Sequence, residues 1–371
     1  MTAVLKIAII GSRGIPNHYG GFEQLAQQLA EGLVKEGFDV TVYNSHKHPY
    51  QEKEWNGAKI IHCHDAEYLL GTAGQFIYDL NCIRNARKQH FDILLFLGYT
   101  SSSVWGRLFP KDAIIISNMD GLEWKRSKYS KPVQSFLRYA EKLAVKYSDH
   151  CIADSVMIRS YLKNKYKIDS HYIPYGADIY KEANEELLST FAISPGNYYM
   201  LMARMEPENN IDIILNGFCK SNSTNKFLVV GNYKNSFGKM MYKKYGADKR
   251  VHFAGAIFDE VKTTTLRTFC KLYFHGHSVG GTNPSLLQAM ANGAVIAAHD
   301  NSFNKAVLQN DALYFNTPAD VLHIINTHVA SDGITEMTKN NIKKTVEQFN
   351  WPGIIRRYEE FITDCCKKED K

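Results

Sequence analysis

The sequence predicts an α/β protein of two doubly wound parallel-sheet domains, and three observations carry that expectation. Short apolar runs end repeatedly at glycines or polar turns, as buried parallel strands do. Segments of helical period lie between them. The alternation fills the first half, breaks at a stretch holding Pro and Gly, and starts again, in a chain of 371 residues that is long enough for two cores.

Taken in order, Val4 to Ile10 is a nearly continuous apolar run that ends in the loop Gly11-Ser12-Arg13-Gly14. Phe22, Leu25, Ala26, Leu29 and Leu33 then recur at helical spacing up to Gly37, and Val40 to Tyr43 resumes as a strand, which makes a βαβ unit. Further strands are expected at Ile60-Ile61, Ile93 to Leu97, Ile114 to Ser117 and Cys151 to Ala153, with helices such as Gly74 to Gln89 and Val133 to Tyr147. The turn-rich segment His171 to Asp178 reads as a hinge. Beyond it, strands are expected at Tyr198 to Ala203, Phe227 to Val230, Val251 to Phe253, Leu272 to Phe274 and Ala294 to Ala298, with Ile211 to Lys220 helical between the first two. The chain closes in a helix, Pro352 to Cys366. The expected domains are therefore 1–175 and 176–350, facing across a cleft, followed by a helical segment 351–371 that could pack back on the first domain.

Composition narrows the class. Hydrophobic residues at 44% and charged residues at 22% exclude disordered and membrane-spanning chains. A net charge of +6, scattered along the chain, excludes a nucleic-acid arm but suits an anionic substrate or an anionic membrane surface. Seven cysteines, far apart except for the adjacent Cys365 and Cys366, read as free thiols, and Val4 to Ile10 is too short for a signal peptide or a spanning helix, so the expected location is cytoplasmic. Peripheral contact with the inner face of the plasma membrane stays open.

The sharpest motif is Gly280-Gly281-Thr282-Asn283-Pro284-Ser285-Leu286-Leu287-Gln288-Ala289-Met290-Ala291-Asn292-Gly293. Asn283 suits an N-cap, Pro284 the first helical position, and Gly293 the helix end. Two glycines ahead of a helix N-terminus let a backbone approach a ligand, and the helix dipole favours a diphosphate there without a metal. An ordinary capped helix behind a tight turn has the same pattern.

With Ala203 to Asn210 and Ile173 to Asp178, this segment resembles the donor-binding half of the family 4 retaining glycosyltransferases, over nearly the whole chain. Gly11 to Pro16, Tyr19 to Glu23 and Asp120 to Trp124 resemble a subgroup that includes bacterial β-1,4-rhamnosyltransferases of surface polysaccharide assembly. The resemblance implies a GT-B fold of two Rossmann-like domains and a hexosyltransferase that binds a nucleoside-diphosphate sugar and a saccharide or lipid-linked saccharide acceptor. It implies neither cofactor nor metal. In that family an arginine and a lysine neutralise the diphosphate, at positions that hold Arg204 and Asn209 here; two glutamates eight positions apart are replaced by Gly280 and Gln288. Gln288 is a weaker acceptor for paired ribose hydroxyls, which agrees with a deoxyribose donor such as dTDP-L-rhamnose and leaves a uridine donor open.

The expected donor-binding set is thus Gly14, Gly20, Gly21, Arg204, Asn209, Gly280, Gly281, Thr282, Asn283, Ser285 and Gln288. Asp120 and Glu123 follow a strand and are expected on the acceptor side, where Asp120 either assists an acceptor hydroxyl or caps the next helix. His277, in His275-Gly276-His277-Ser278, is expected near the donor sugar. The basic run Trp124 to Lys131 reads as a solvated loop or as a contact for anionic lipid. His62-Cys63-His64-Asp65 has no second cluster to complete a metal site, and the sequence holds no Asp-x-Asp or P-loop. Gly11-x-x-Gly14 followed by Ile-Pro departs from the dinucleotide fingerprint, which argues against an NAD enzyme. Two rival readings remain, a GT-B-type sugar-nucleotide epimerase and a non-catalytic nucleotide-sugar-binding scaffold subunit.

Overall fold

The computed structural model describes residues 4–18, 20–119, 121–179, 182–327 and 332–369, and divides into two compact units. The first holds residues 1–124, 131–175 and 351–371; the second holds 125–130 and 176–350.

The first unit carries strands β1 (Lys6–Ile10), β2 (Asp39–Ser45), β3 (Glu54–Trp55), β4 (Ala58–Cys63), β5 (Ile93–Leu97), β6 (Ile114–Met119), β7 (His150–Ala153) and β8 (His171–Tyr172). They form one sheet in the order β3-β4-β2-β1-β5-β6-β7-β8, parallel except for the β3–β4 hairpin. Ile7, Ala8, Ile9 and Ile10 are all fully buried, which is why this strand reads as a continuous apolar run instead of an alternating one. Val4, expected in the strand, lies ahead of it and is 59% exposed. Helices α1 (Gly21–Lys35), α2 (Glu67–Leu70), α3 (Gly74–Ala86), α4 (Lys131–Tyr147) and α5 (Val156–Tyr166) connect the strands. The chain leaves β1 toward β2 and β4, then returns to the other side of β1 at β5, so the order reverses between β1 and β5. Crevices at such reversals are where ligands bind in open α/β sheets.

The second unit repeats the plan with β9 (Tyr198–Met202), β10 (Lys226–Val230), β11 (Val251–Gly255), β12 (Leu272–His275), β13 (Ile296–His299) and β14 (Leu313–Phe315), all parallel, in the order β11-β10-β9-β12-β13-β14. Its helices are α6 (Ile211–Cys219), α7 (Ser236–Tyr245), α8 (Glu260–Thr268), α9 (Pro284–Ala291), α10 (Ser302–Leu308), α11 (Pro318–Thr327) and α12 (Asp332–Gln348). Here the reversal falls between β9 and β12. An aromatic core fills the sheet face, with Tyr199, Phe218, Phe227, Phe274 and Phe315 among its buried members. The last helix, α13 (Trp351–Glu369), belongs to the first unit and packs on α1, where Gly32 lets Ile355 approach: a Cβ at Gly32 would lie 2.5 Å from Ile355 Cδ1.

Candidate functional site

In the second unit the site is built from the ends of β9 and β12. Beyond β9 the chain passes Ala203 and Arg204 into a 3₁₀ turn, Pro207–Asn209. Three fastenings shape this turn. Asn209 Nδ2 donates to Arg204 O at 2.6 Å, Asn235 Nδ2 donates to Met205 O at 2.7 Å, and Asn210 Nδ2 donates to Gly276 O at 2.7 Å. Gly276 is needed for the close approach, since a Cβ there would lie 1.9 Å from Asn209 O. The backbone amide and hydroxyl of Ser278 both donate to Glu208 O, at 3.0 and 2.8 Å. The Arg204 turn and the loop that leads to Gly280 are therefore one hydrogen-bonded body, with the Arg204 side chain exposed. Asn209 is buried and ties down this turn with one of its amide hydrogens.

Asn283 caps α9 as the sequence predicts, and the cap is complete. Its Oδ1 accepts from Ser285 N at 2.9 Å and Leu286 N at 3.4 Å, its carbonyl accepts from Leu286 N and Leu287 N, and Pro284 has no N–H. The free first-turn amides expected at this helix are thus taken by its own cap. What remains open is upstream: among the described residues the amides of Gly280 and Gly281 have no hydrogen-bond partner. Gly280 has φ +138° with open space where a Cβ would stand, so the backbone is bare at that point. Thr282 is buried, and the Ser285 hydroxyl lies 2.7 Å from the buried Tyr273 hydroxyl.

Gln288 Nε2 donates to Asp178 Oδ2 at 3.3 Å. A carboxylate therefore stands beside position 288 after all, contributed from 110 residues away in sequence. At the end of β12, His275 is buried with neither ring nitrogen partnered among the described residues, and burial pushes its pKa down to about 3. It stacks on the half-buried His277 with ring centroids 4.5 Å apart. Burial, then His275, Arg204 and Arg126, push the His277 imidazole well below its ordinary range, so it is neutral at physiological pH. The backbone carbonyl of His277 accepts from Asn301 Nδ2 at 2.9 Å and Asn304 Nδ2 at 3.0 Å, which fixes the loop against α10.

The basic run after Trp124 is partly committed. Arg126 Nη1 lies 3.4 Å from Glu208 Oε1, and Lys128 Nζ lies 3.3 Å from Glu206 Oε1. Arg126 and Lys128 are thus paired with two acidic residues just beyond Arg204 in the same unit.

In the first unit the glycines have separate jobs. Gly11, at φ +99°, lets the ends of β1 and β5 meet, since a Cβ would lie 2.4 Å from Leu97 O. Gly14, at φ +126°, is closed against Asn44, whose side chain bonds both the amide and the carbonyl of Ile15. Gly20 stands at the N-cap of α1 without a side-chain cap, and the amides of Gly21, Phe22 and Glu23 have no partner among the described residues. The open helix N-terminus is therefore that of α1, not α9. Glu23 is buried and accepts from Arg13 N at 2.9 Å, while the Arg13 guanidinium grips Glu67 through two bonds of 2.8 and 2.6 Å. Glu123 opens a 3₁₀ turn, Glu123–Lys125; Asp120 and Tyr19 lie outside the described residues. Asn118, the last but one residue of β6, is buried with both amide atoms unpartnered among the described residues, a group to which the sequence analysis gave no role. His62, His64 and Asp65 are engaged locally, His62 on Tyr50 O, His64 stacked on His46, and Asp65 accepting from the Ser45 hydroxyl.

A family profile described as a domain of unknown function, DUF1972, matches residues 4–178. No curated protein matches the sequence. Among solved structures, sucrose-phosphate synthase from Thermosynechococcus elongatus is similar at TM-score 0.79 and 16% identity, covering 98% of this chain and 100% of that one. Anabaena HepE in complex with UDP is similar at TM-score 0.74 and 15% identity, over 97% and 100% of the two chains. S. aureus TarM, solved with UDP, is similar at 0.70 and 10%, over 96% and 99%. These likenesses, with the two parallel sheets, establish the architecture as GT-B.

Proposed function

We propose that the protein is a glycosyltransferase whose second unit holds a nucleoside-diphosphate sugar, with the diphosphate at Arg204 and the Gly280–Gly281 amides. The observation that carries the reading is that pairing itself: an exposed guanidinium and two open amides on one hydrogen-bonded body at the β9/β12 reversal. In the reaction the acceptor hydroxyl oxygen forms a bond to the anomeric carbon, the bond from that carbon to the diphosphate oxygen breaks, and the acceptor proton leaves with the diphosphate. Arg204 and the amides stabilise the charge that grows on the leaving oxygens. A neutral His277 suits a hydrogen-bonding role beside an uncharged sugar.

The finer reading follows the family resemblance. The transfer retains anomeric configuration, uses no metal, and moves a hexose or deoxyhexose, with L-rhamnose from dTDP-L-rhamnose the first candidate, onto a saccharide or lipid-linked saccharide of a cell-surface polysaccharide. HepE and TarM bind UDP, which makes a uridine donor the direct competitor. Asp178 beside Gln288 keeps that competitor in play, because its carboxylate can accept from a ribose hydroxyl.

Calorimetric titration with dTDP, UDP, GDP and ADP in the presence of EDTA tests the reading. One diphosphate should bind the wild type, and Arg204→Ala should weaken it roughly ten- to hundred-fold, the usual size of a lost charge-assisted contact. Binding of none would remove the donor site. Binding followed by acceptor-independent product would favour the epimerase reading instead.

A further inference from the structure

We infer that Arg267 is a second positive charge of the nucleoside-diphosphate site, set beneath it and acting through the hydroxyls of Tyr273 and Ser285. The inference rests on the donor reading above and adds positioning residues to it.

Arg267 lies near the end of α8 and is 7% exposed. No carboxylate is paired with it among the described residues. Its Nη2 donates to Met202 Sδ at 2.9 Å, a weak acceptor, and its Nε is buried without a partner. Burial lowers its pKa, yet a guanidinium stays charged in a protein. A buried cation with no counterion opposes folding, because nothing offsets its desolvation. An anion received close by would supply that missing partner. Met202 ends β9 two residues before Arg204, and Tyr273 lies in β12, so the guanidinium stands at the β9/β12 reversal.

The direction of the hydrogen bonds follows from that charge. Burial raises the Tyr273 pKa and Arg267 opposes the rise, by its charge and as a donor, so the phenol keeps its proton. A guanidinium can only donate, so the Tyr273 oxygen turns its lone pairs to Arg267 and its proton elsewhere. The nearer acceptor is Ser285 Oγ at 2.7 Å, against 3.5 Å for Met202 O. Ser285 Oγ, accepting from Tyr273, then offers its own proton outward, and no acceptor for it is present among the described residues. Ser285 is half-buried in the first turn of α9. The relay therefore ends in an O–H at the start of α9, on the segment whose Gly280 and Gly281 amides are open.

The test separates charge recognition from folding. UDP and dTDP are titrated calorimetrically into the full-length wild type, Arg267→Met, Tyr273→Phe, Ser285→Ala and the double variant Tyr273→Phe/Ser285→Ala, with a thermal melt of each. Uridine and thymidine are followed in parallel by ligand-observed NMR. The diphosphate that binds the wild type should weaken roughly ten-fold in Arg267→Met and Ser285→Ala and about three-fold in Tyr273→Phe, while the nucleoside signal stays as in the wild type. The double variant should bind no more weakly than Ser285→Ala, because both changes act through one hydroxyl. Arg267→Met should melt no lower than the wild type, since it removes an uncompensated buried charge. A purely structural arginine would give the opposite, a lower melt with unchanged affinity, and that result overturns the inference, as does an equal loss of nucleoside and diphosphate. Where Arg267→Met does not fold, the Tyr273 and Ser285 variants decide: additive losses, or full affinity in Tyr273→Phe, overturn the relay. Loss of the diphosphate in Arg204→Ala but not in these variants sinks this inference and leaves the donor reading standing. A wild type that binds neither diphosphate removes both.

Discussion

His275 is 1% exposed at the end of β12, and neither of its ring nitrogens has a partner among the described residues. Burial therefore holds its pKa near 3, against 6.5 when it is free in the unfolded chain. Between those two values the unfolded chain binds a proton there that the folded chain does not. The His275 contribution is complete above the unfolded value and is lost as pH falls through the window, at up to about 1.4 kcal/mol per pH unit. His275→Phe keeps a ring against Tyr273 and His277 and removes the titration, so the loss of stability between pH 7 and pH 5 should be smaller in the variant. Urea midpoints at the two pH values measure it, and an equal loss in both proteins would mean that His275 finds a partner when protonated. The motif that contains this residue is plain in the sequence. Its burial is not, because it depends on β12 lying between β9 and β13.

The sequence and the structure agree best at the level of elements, and α9 shows both the reach and the limit of that agreement. Cap, first-turn proline and apolar face are read directly from residues 283–291, since each is a local rule. The two strand-order reversals are not local, and neither are Arg126 with Glu208, 82 residues apart, or Gln288 with Asp178, 110 apart. The short edge strands β3, β8 and β14, of two or three residues, leave no period to read. The cap itself misled the reading of the site, because a good N-cap consumes the amides that an anion would use. That leaves a clean way to divide fold from function at α9. Asn283→Asp keeps a strong N-cap but puts a negative charge beside Gly280 and Gly281, so it should melt like the wild type and bind the diphosphate at least ten-fold more weakly, a loss of about 1.4 kcal/mol. Asn283→Ala should do the reverse in part, costing about 1 kcal/mol of stability. Thermal melts beside calorimetry check the pair, and an aspartate variant with full affinity would place the diphosphate elsewhere.

For the whole molecule, the two units differ in how they are closed. The second is built almost entirely from one continuous stretch, 176–350, whereas the first recovers its last element, α13, after the second has been completed. That helix is no accessory. Trp351, Ile354, Tyr358, Ile362 and Cys365 line one face at helical spacing, and none is more than 4% exposed. Phe361 packs against His150 and His171, and Arg357 lies over Tyr172, which covers β7 and β8. Burying five such side chains contributes on the order of 10 kcal/mol before chain entropy is counted, similar to the whole stability of an ordinary domain. Truncation after Asn350 should therefore unfold or loosen the first unit alone. Hydrogen exchange on the truncated protein should show lost protection in α1, β7 and β8, with β9, β10 and β12 protected as before. The second unit keeps every strand of its own sheet and its aromatic core in that truncation, so nucleoside-diphosphate affinity should stay within about three-fold, well under 1 kcal/mol. Simultaneous loss of protection in both sheets would mean that the two units fold as one cooperative body.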